Sequence, residues 1–184
     1  EYTGDVIVPR KFLNLLSGVL DGKESIQLWM GANHMTASLG SDIYFTRIID
    51  ERFPDFESVI PKDNEKELTV DKSMLLSAVR RVSIFSNRST HQIALRLTKD
   101  RIQITTEDPE KSSKAQEKIS GDFNGDDLVI GYNASYLKDI LSHVESDKVI
   151  IKLKTPISAA LFYPVSQSEN SNLTMLLMPI RLND

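Results

Sequence analysis

The chain has 184 residues, 40% of them hydrophobic and 26% charged, with a formal net charge of −4. That balance is the profile of a soluble globular protein; no apolar run reaches the ~18 residues that span a bilayer, and the opening Glu1-Tyr2-Thr3-Gly4-Asp5 lacks the basic and apolar regions of a signal peptide. Cysteine is absent, which excludes disulfides and thiolate metal sites and fits a cytoplasmic protein.

Residues 6–8 read as a strand, and Pro9 suits the first position of a helix, where its missing N–H costs nothing. The helix runs to about Leu20 and stops at Asp21-Gly22. Three strands in meander order follow at 26–30, 34–39 and 43–49, separated by Gly31-Ala32-Asn33 and Gly40-Ser41-Asp42. Residues 51–64 carry two prolines and many charges and read as a linker, which divides the chain into domains 1–62 and 63–184. A strand begins at Leu68, and Asp71 caps a helix that ends near Phe85. Residues 93–97 and 101–106 form a hairpin around Thr98-Lys99-Asp100. A charged loop covers 107–114, a strand runs to about Gly121, and Asn124-Gly125 makes a turn. The last part is a strand at 128–132, a helix capped by Asn133 and ending near Val144, and strands at 149–153, 159–163 and 173–178.

One pattern recurs at an interval of 62 residues. Val6, Leu68 and Ile130 correspond, as do Val8, Val70 and Tyr132. Phe12, Met74 and Tyr136 follow, then Leu13, Leu75 and Leu137; Leu16, Ala78 and Ile140; Leu20, Val82 and Val144. The first two positions alternate as in a strand, and the other four fall on one helix face. The chain is therefore α+β, built from repeated units of one helix plus antiparallel strands. Each unit buries a single helix face and has to share a core with a neighbour. Units two and three make a complete two-fold pseudo-repeat; unit one is half of such a domain.

Catalytic chemistry finds little support. The chain has no P-loop, dinucleotide fingerprint or nucleophile elbow. His34, His91 and His143 lie in different units, with no second histidine or carboxylate at ligand spacing, and read as surface or strand residues. The stretch Asp122-Phe123-Asn124-Gly125-Asp126-Asp127 resembles a calcium loop only faintly, because Asn133 stands where that loop needs its glutamate. An ordinary turn explains it. No cofactor and no metal are expected, and the chain reads as a scaffold, not an enzyme.

The charges are distributed unevenly. Off the apolar helix faces stand Arg10, Lys11, Lys72, Arg80, Arg81 and Lys138, opposed mainly by Asp139, while the acidic residues gather elsewhere. A solvated helix face is the bland reading. Three equivalent helices presenting cations to a polyanion is the sharper one, and would give salt-sensitive, sequence-independent phosphate binding. The tail Leu173-Thr174-Met175-Leu176-Leu177-Met178-Pro179-Ile180-Arg181-Leu182 starts as a core strand, but Pro179 cannot pair as an inner-strand residue. Methionine and aliphatics beyond the strand suit a groove for short apolar motifs.

Together, Val6-Ile7-Val8-Pro9-Arg10-Lys11, Arg52-Phe53-Pro54-Asp55-Phe56 with Val59-Ile60-Pro61, Ile130-Gly131-Tyr132-Asn133 with Tyr136-Leu137, and the ending Met178-Pro179-Ile180-Arg181-Leu182 resemble the bacterial sliding clamp family, the beta subunit of replicative DNA polymerase III. The resemblance spans essentially the whole chain and matches the second half of the family's domain two plus all of domain three. It implies a DNA-clamp fold with helices on one face of the sheets. It also implies a head-to-tail homodimer closing a ring around duplex DNA, which the basic helix residues would line. Replicative polymerase, clamp loader and repair proteins would dock through short linear motifs. The docking pocket implied is Pro54, Val59, Asn133, Tyr136, Ile157, Ala159, Leu176, Leu177, Met178, Pro179, Ile180 and Arg181. Ile84 and Phe85 match the domain-three side of the ring interface. Asn183 and Asp184 follow the family's usual Arg-Leu ending. A rival expectation for this chain itself is a protein-interaction module with little DNA affinity.

Overall fold

The structure is a computed structural model that describes residues 3–20, 22, 25–167, 169 and 171–182. Asp21, at the expected helix stop, and Asn183 and Asp184 lie outside the described residues. The chain divides into two compact units, Glu1–Asp55 and Phe56–Asp184. The division falls before the expected boundary at Lys62 because the end of the linker stretch belongs to the second unit. Glu57–Val59 form a 3-10 turn, and Asn64 Nδ2 donates to the carbonyls of Lys152 and Ala159, both at 3.0 Å.

The first unit contains helix α1 (Arg10–Val19) and an antiparallel sheet of β1 (Gln27–Met30), β2 (His34–Leu39) and β3 (Asp42–Arg47), in that order. Phe12 and Leu16, one helical turn apart, pack with Met35 and Ala37 of β2. Pro9 is the N-cap, with extended ψ, and not the first helical residue. Residues 6–8 do not form a full strand: their pairing reduces to a bridge between Ile7 and Ile49, whose N–H donates to Ile7 O at 2.9 Å.

The second unit begins with β4 (Lys66–Asp71) and α2 (Lys72–Ser83), followed by β5 (Gln92–Thr98), β6 (Arg101–Asp108), β7 (Ser113–Ser120) and β8 (Asp122–Asn124). The same plan then repeats as β9 (Leu128–Asn133), α3 (Ala134–His143), β10 (Lys148–Leu153), β11 (Ala160–Pro164) and β12 (Met175–Leu177). The expected loop at 107–114 is shorter than its charges suggest. β6 continues to Asp108, a 3-10 turn spans Pro109–Lys111, and Ser112 takes the left-handed conformation before β7. The stretch 122–127, expected to be an ordinary turn, starts instead as β8, because Phe123 is buried in the core.

The two sheets have the orders β12-β11-β10-β4-β8 and β7-β6-β5-β9. Each half of the unit therefore lends its first strand to the other half's sheet. Leu68 and Val70 pair with Ile151 and Val149; their counterparts Ile130 and Tyr132 pair with Leu95 and Ile93. The exchange also satisfies the amide at the start of each helix, which has no intrahelical partner. Lys72 N–H donates to Asp147 O at 2.9 Å, and the equivalent Ala134 N–H to His91 O at 2.8 Å.

Both helices carry side-chain caps. Asp71 Oδ1 accepts from Met74 N at 2.7 Å and Asn133 Oδ1 from Ser135 N at 2.8 Å. The helices run antiparallel: Lys72, at the start of α2, donates to Val144 O at the end of α3, and Ser83 at the end of α2 meets Lys138. One core unites the inward residues of both sheets with Leu75, Ala78, Val79 and Val82 of α2 and Leu137 and Leu141 of α3. The buried helix stripe is narrower than the repeat suggests, since Met74 and Tyr136 are exposed where Phe12 is buried.

Candidate peptide cleft and helix cations

Strand alternation sends Leu128, Ile130 and Tyr132 into the core and leaves Val129 and Gly131 on the opposite face of β9. The tail returns to this strand after β12. Pro179 lacks an N–H, so pairing resumes only at Ile180, whose N–H donates to Gly131 O at 2.9 Å. Val129, Gly131, Pro156, Ile157, Ile180, Arg181 and Leu182 then enclose a cleft of about 350 Å³. Its walls are mostly aliphatic, and Arg181 supplies a cation. Gly131 allows the close approach: a Cβ there would stand 2.6 Å from Ile180 O and 2.7 Å from Leu182 Cδ2.

Of the expected pocket residues, the cleft brings together Ile157, Ile180 and Arg181. Leu177 and Ala159 are buried, Leu176 and Pro179 are half-buried, and Val59, Tyr136 and Met178 are exposed. Pro54 belongs to the first unit and is exposed. Both polar ends of Asn133 are engaged in the fold, Oδ1 with Ser135 N and Nδ2 with Thr90 O at 3.1 Å. Val129, Gly131, Pro156 and Leu182 line the cleft without having been singled out from sequence as pocket residues. A period-two reading of 128–133 would have put Val129 and Gly131 on the outer face.

The expected helix cations fall into two groups. Arg10, Lys11 and Arg80 are exposed, and their side chains make no ion pair among the described residues. The others have partners within the second unit. Lys72 Nζ donates to Val144 O at 2.9 Å and Lys138 Nζ to Ser83 Oγ at 3.3 Å. Arg81 forms a two-pronged pair with Glu117, Nε to Oε2 at 3.0 Å. The guanidinium's hydrogen bonds hold the Glu117 carboxyl below its usual range, and the same pairing raises Arg81.

Ile84 and Phe85 follow α2 directly and are exposed, Ile84 at 76%. Their backbone is held from below: Ser113 Oγ donates to Phe85 O at 3.1 Å, and Asn87 Nδ2 lies 3.4 Å from the buried Asp108, which Lys111 approaches at 3.5 Å. His143, read from sequence as having no carboxylate at ligand spacing, does have one: Asp139, a helical turn earlier, lies 3.8 Å away. Among the described residues no group of three or more metal-ligating side chains is placed to hold an ion, and no helix is long and apolar enough to cross a membrane.

Two half-repeats that exchange strands, with paired antiparallel helices packed on antiparallel sheets, define a clamp-type α+β protein. Residues 57–181 match the C-terminal domain of the DNA polymerase III beta subunit and residues 1–55 match its central domain. The chain belongs to the DNA polymerase III beta subunit family. It is 34% identical over 178 residues to the beta sliding clamp of Pseudomonas putida, covering 96% of this chain and 47% of that protein. To the beta sliding clamp of Escherichia coli it is 30% identical over 178 residues. The crystal structure of the subunit from Pseudomonas aeruginosa superposes with a TM-score of 0.86 at 31% identity, covering 96% of this chain and 48% of that one. A structure of the P. aeruginosa sliding clamp bound to griselimycin matches with a TM-score of 0.84. The chain thus spans about half the length of the relatives it matches.

Proposed function

We propose that the chain is a working part of a DNA sliding clamp, a non-enzymatic cytoplasmic tether that holds replication proteins on duplex DNA. The cleft under Ile180 carries the reading: an aliphatic slot with one cation and a backbone-bridged wall suits a short peptide with aliphatic and aromatic anchors. Replicative polymerase, clamp loader and repair proteins would present such motifs, with Tyr136, Met178 and Val59 as the exposed apolar surface next engaged. Arg10, Lys11 and Arg80 would face the phosphates, joined by Lys72, Arg81 and Lys138. Ile84 and Phe85 form the apolar knob through which a head-to-tail homodimer would close its ring.

A leucine- and phenylalanine-bearing peptide titrated into the protein, followed by amide shifts, tests this. Shifts centred on Val129, Ile157, Ile180 and Arg181 are expected. A response confined to His34 or the Asp122 turn overturns the cleft as the docking site. A second reading, a protein-interaction module with little DNA affinity of its own, draws on the engagement of Arg81, Lys72 and Lys138 inside the fold. It predicts peptide binding with no salt-dependent association with duplex.

A further inference from the structure

The β10–β11 hairpin stops pairing at Lys152 and Leu161, and Pro156 and Ile157, in the loop between them, wall the cleft. Thr155 closes this loop from within. Its Oγ1 accepts from Ser158 N at 3.1 Å and lies 2.5 Å from Ser158 Oγ, a turn built by a side chain. Ile157 N donates to the same oxygen at 3.4 Å, and Pro156 has no N–H to place. The shape of the tip is thus set inside the loop.

What fixes the loop against the sheet comes from elsewhere in the chain. Asn64 stands two residues before β4, and its Nδ2 donates to Lys152 O and Ala159 O, both at 3.0 Å. The two carbonyls belong to opposite legs of the loop, so one carboxamide ties its mouth shut. Two acceptors facing one terminal atom also fix which way the amide points, since only its NH2 end can donate to both. The other end is less well served: Asn64 Oδ1 is buried and has no hydrogen-bond partner among the described residues. A half-satisfied carboxamide contributes little net stability, unlike Asn133, both of whose polar ends are engaged. Beside it Asp63 pairs with Lys154 of the same loop, an exposed contact and a weak one.

We propose that Asn64 is a positioning residue of the cleft, holding the Pro156-Ile157 wall at a fixed distance from the tail. This role rests on the reading of the cleft as a peptide site. The tail wall is tied to β9 by the Ile180 bridge and the loop wall to β10 and β11 by Asn64, so both stand in place before a ligand arrives. A loop already ordered loses little conformational entropy on binding. Without the carboxamide donors the loop keeps its Thr155 turn but moves as one piece, and Ile157 no longer meets an apolar anchor at a set place.

Titration of the whole chain with the leucine- and phenylalanine-bearing peptide, alongside nitrogen relaxation of the free protein, tests the role. Asn64→Asp keeps the shape of the side chain, replaces its donors with a carboxylate, and should weaken the peptide about ten-fold. Residues 154–159 should become mobile together while the β4–β10 ladder stays rigid. Asn64→Ala, which adds no charge, should act in the same direction. On an Ile157→Ala background the effect of Asn64→Asp should shrink to less than about two-fold, since the side chain it acts through is gone. Asp63→Asn should change affinity by less than about two-fold. Losses that simply add on the Ile157→Ala background would show a general effect on the fold and overturn the role. So would an immobile loop in Asn64→Asp, or a larger loss from Asp63→Asn. A wild type whose cleft residues ignore the peptide sinks the peptide reading, and this role with it. A wild type that binds, with Asn64→Asp binding equally well, sinks the role alone.

Discussion

Ile180 donates its backbone N–H to Gly131 O across 2.9 Å, as Ile49 does to Ile7 O, at the position where Asp122 stands opposite Thr69. The tail that walls the cleft is thus the closing segment of a third half-repeat, cut to a single bridge by Pro179. The cleft and the fold share one hydrogen bond.

Gly131→Ala should therefore push the tail off β9. The new Cβ meets a carbonyl oxygen of the backbone, which cannot swing aside as a side-chain end would, and overpacking of this kind costs roughly 1–3 kcal/mol. Hydrogen exchange at Ile180 should become fast while the Ile93 and Leu95 amides of the β5–β9 ladder stay protected, and peptide affinity should fall. Unchanged protection at Ile180 would show that the cleft does not depend on the glycine.

Tyr132 offers a test of the core. Its ring is buried edge-on against Phe162, and its hydroxyl has no hydrogen-bond partner among the described residues. Tyr132→Phe removes an unsatisfied polar group and should raise stability by ~1 kcal/mol. Burial also pushes the phenol above its ordinary value, so the folded state holds its proton where the unfolded chain loses it. Stability from this group is complete below pH about 10 and declines at up to about 1.4 kcal/mol per pH unit above it. Denaturant melts of wild type and Tyr132→Phe at pH 8 to 11 should diverge as the pH rises.

The caps should separate cleanly. Asp71→Ala removes one acceptor at the start of α2 and should cost about 1 kcal/mol. Asn133→Ala loses its cap on α3 and also the bond to Thr90 O, so it should cost more and loosen residues 87–91. Equal losses in chemical denaturation would mean that the Thr90 contact contributes nothing.

Glu117→Gln bears on the cations. Removing the carboxylate releases the Arg81 guanidinium, so association with duplex at low salt should strengthen, and the slope of log affinity against log salt should steepen by about 0.9 for one added phosphate contact. The Glu117 carboxyl is held below its usual range, so the pair persists through ordinary acidic pH and dissolves as pH falls through that lowered value. Fluorescence anisotropy with Arg80→Ala as the opposing variant checks the sign; no change in either would place α2 away from DNA.

Much of this architecture was legible because it repeats. Asp71 and Asn133 read as caps from residue type alone, and both are. Pro9 stands in register with them and is an N-cap too, although its missing N–H had pointed to the first helical position. The edge strand β7 was taken partly for loop because its outward Lys114, Gln116 and Lys118 obscure the shallow alternation beneath. Residues 6–8 have full strand character but form one bridge, since a strand needs a neighbour and propensity supplies none. From residue chemistry alone the cleft was legible only in its tail, and Ile157 was expected there only through the family resemblance. Its floor is a glycine and its other wall a loop of Pro156 and Ile157, and neither carries a chemical signature.

Strand exchange in the second unit also sets the order of events when the chain first folds. Leu68 can pair with Phe123 of β8 early but gains its second neighbour only when Ile151 has been synthesised, and Ile130 must reach back to Leu95 across a completed hairpin. Neither half can close early, so the emerging chain passes through an interval with one apolar sheet uncovered, when aggregation competes with folding. A slow refolding phase shared by both sheets, shortened in a circular permutant that brings β4 next to β10, would be its kinetic signature.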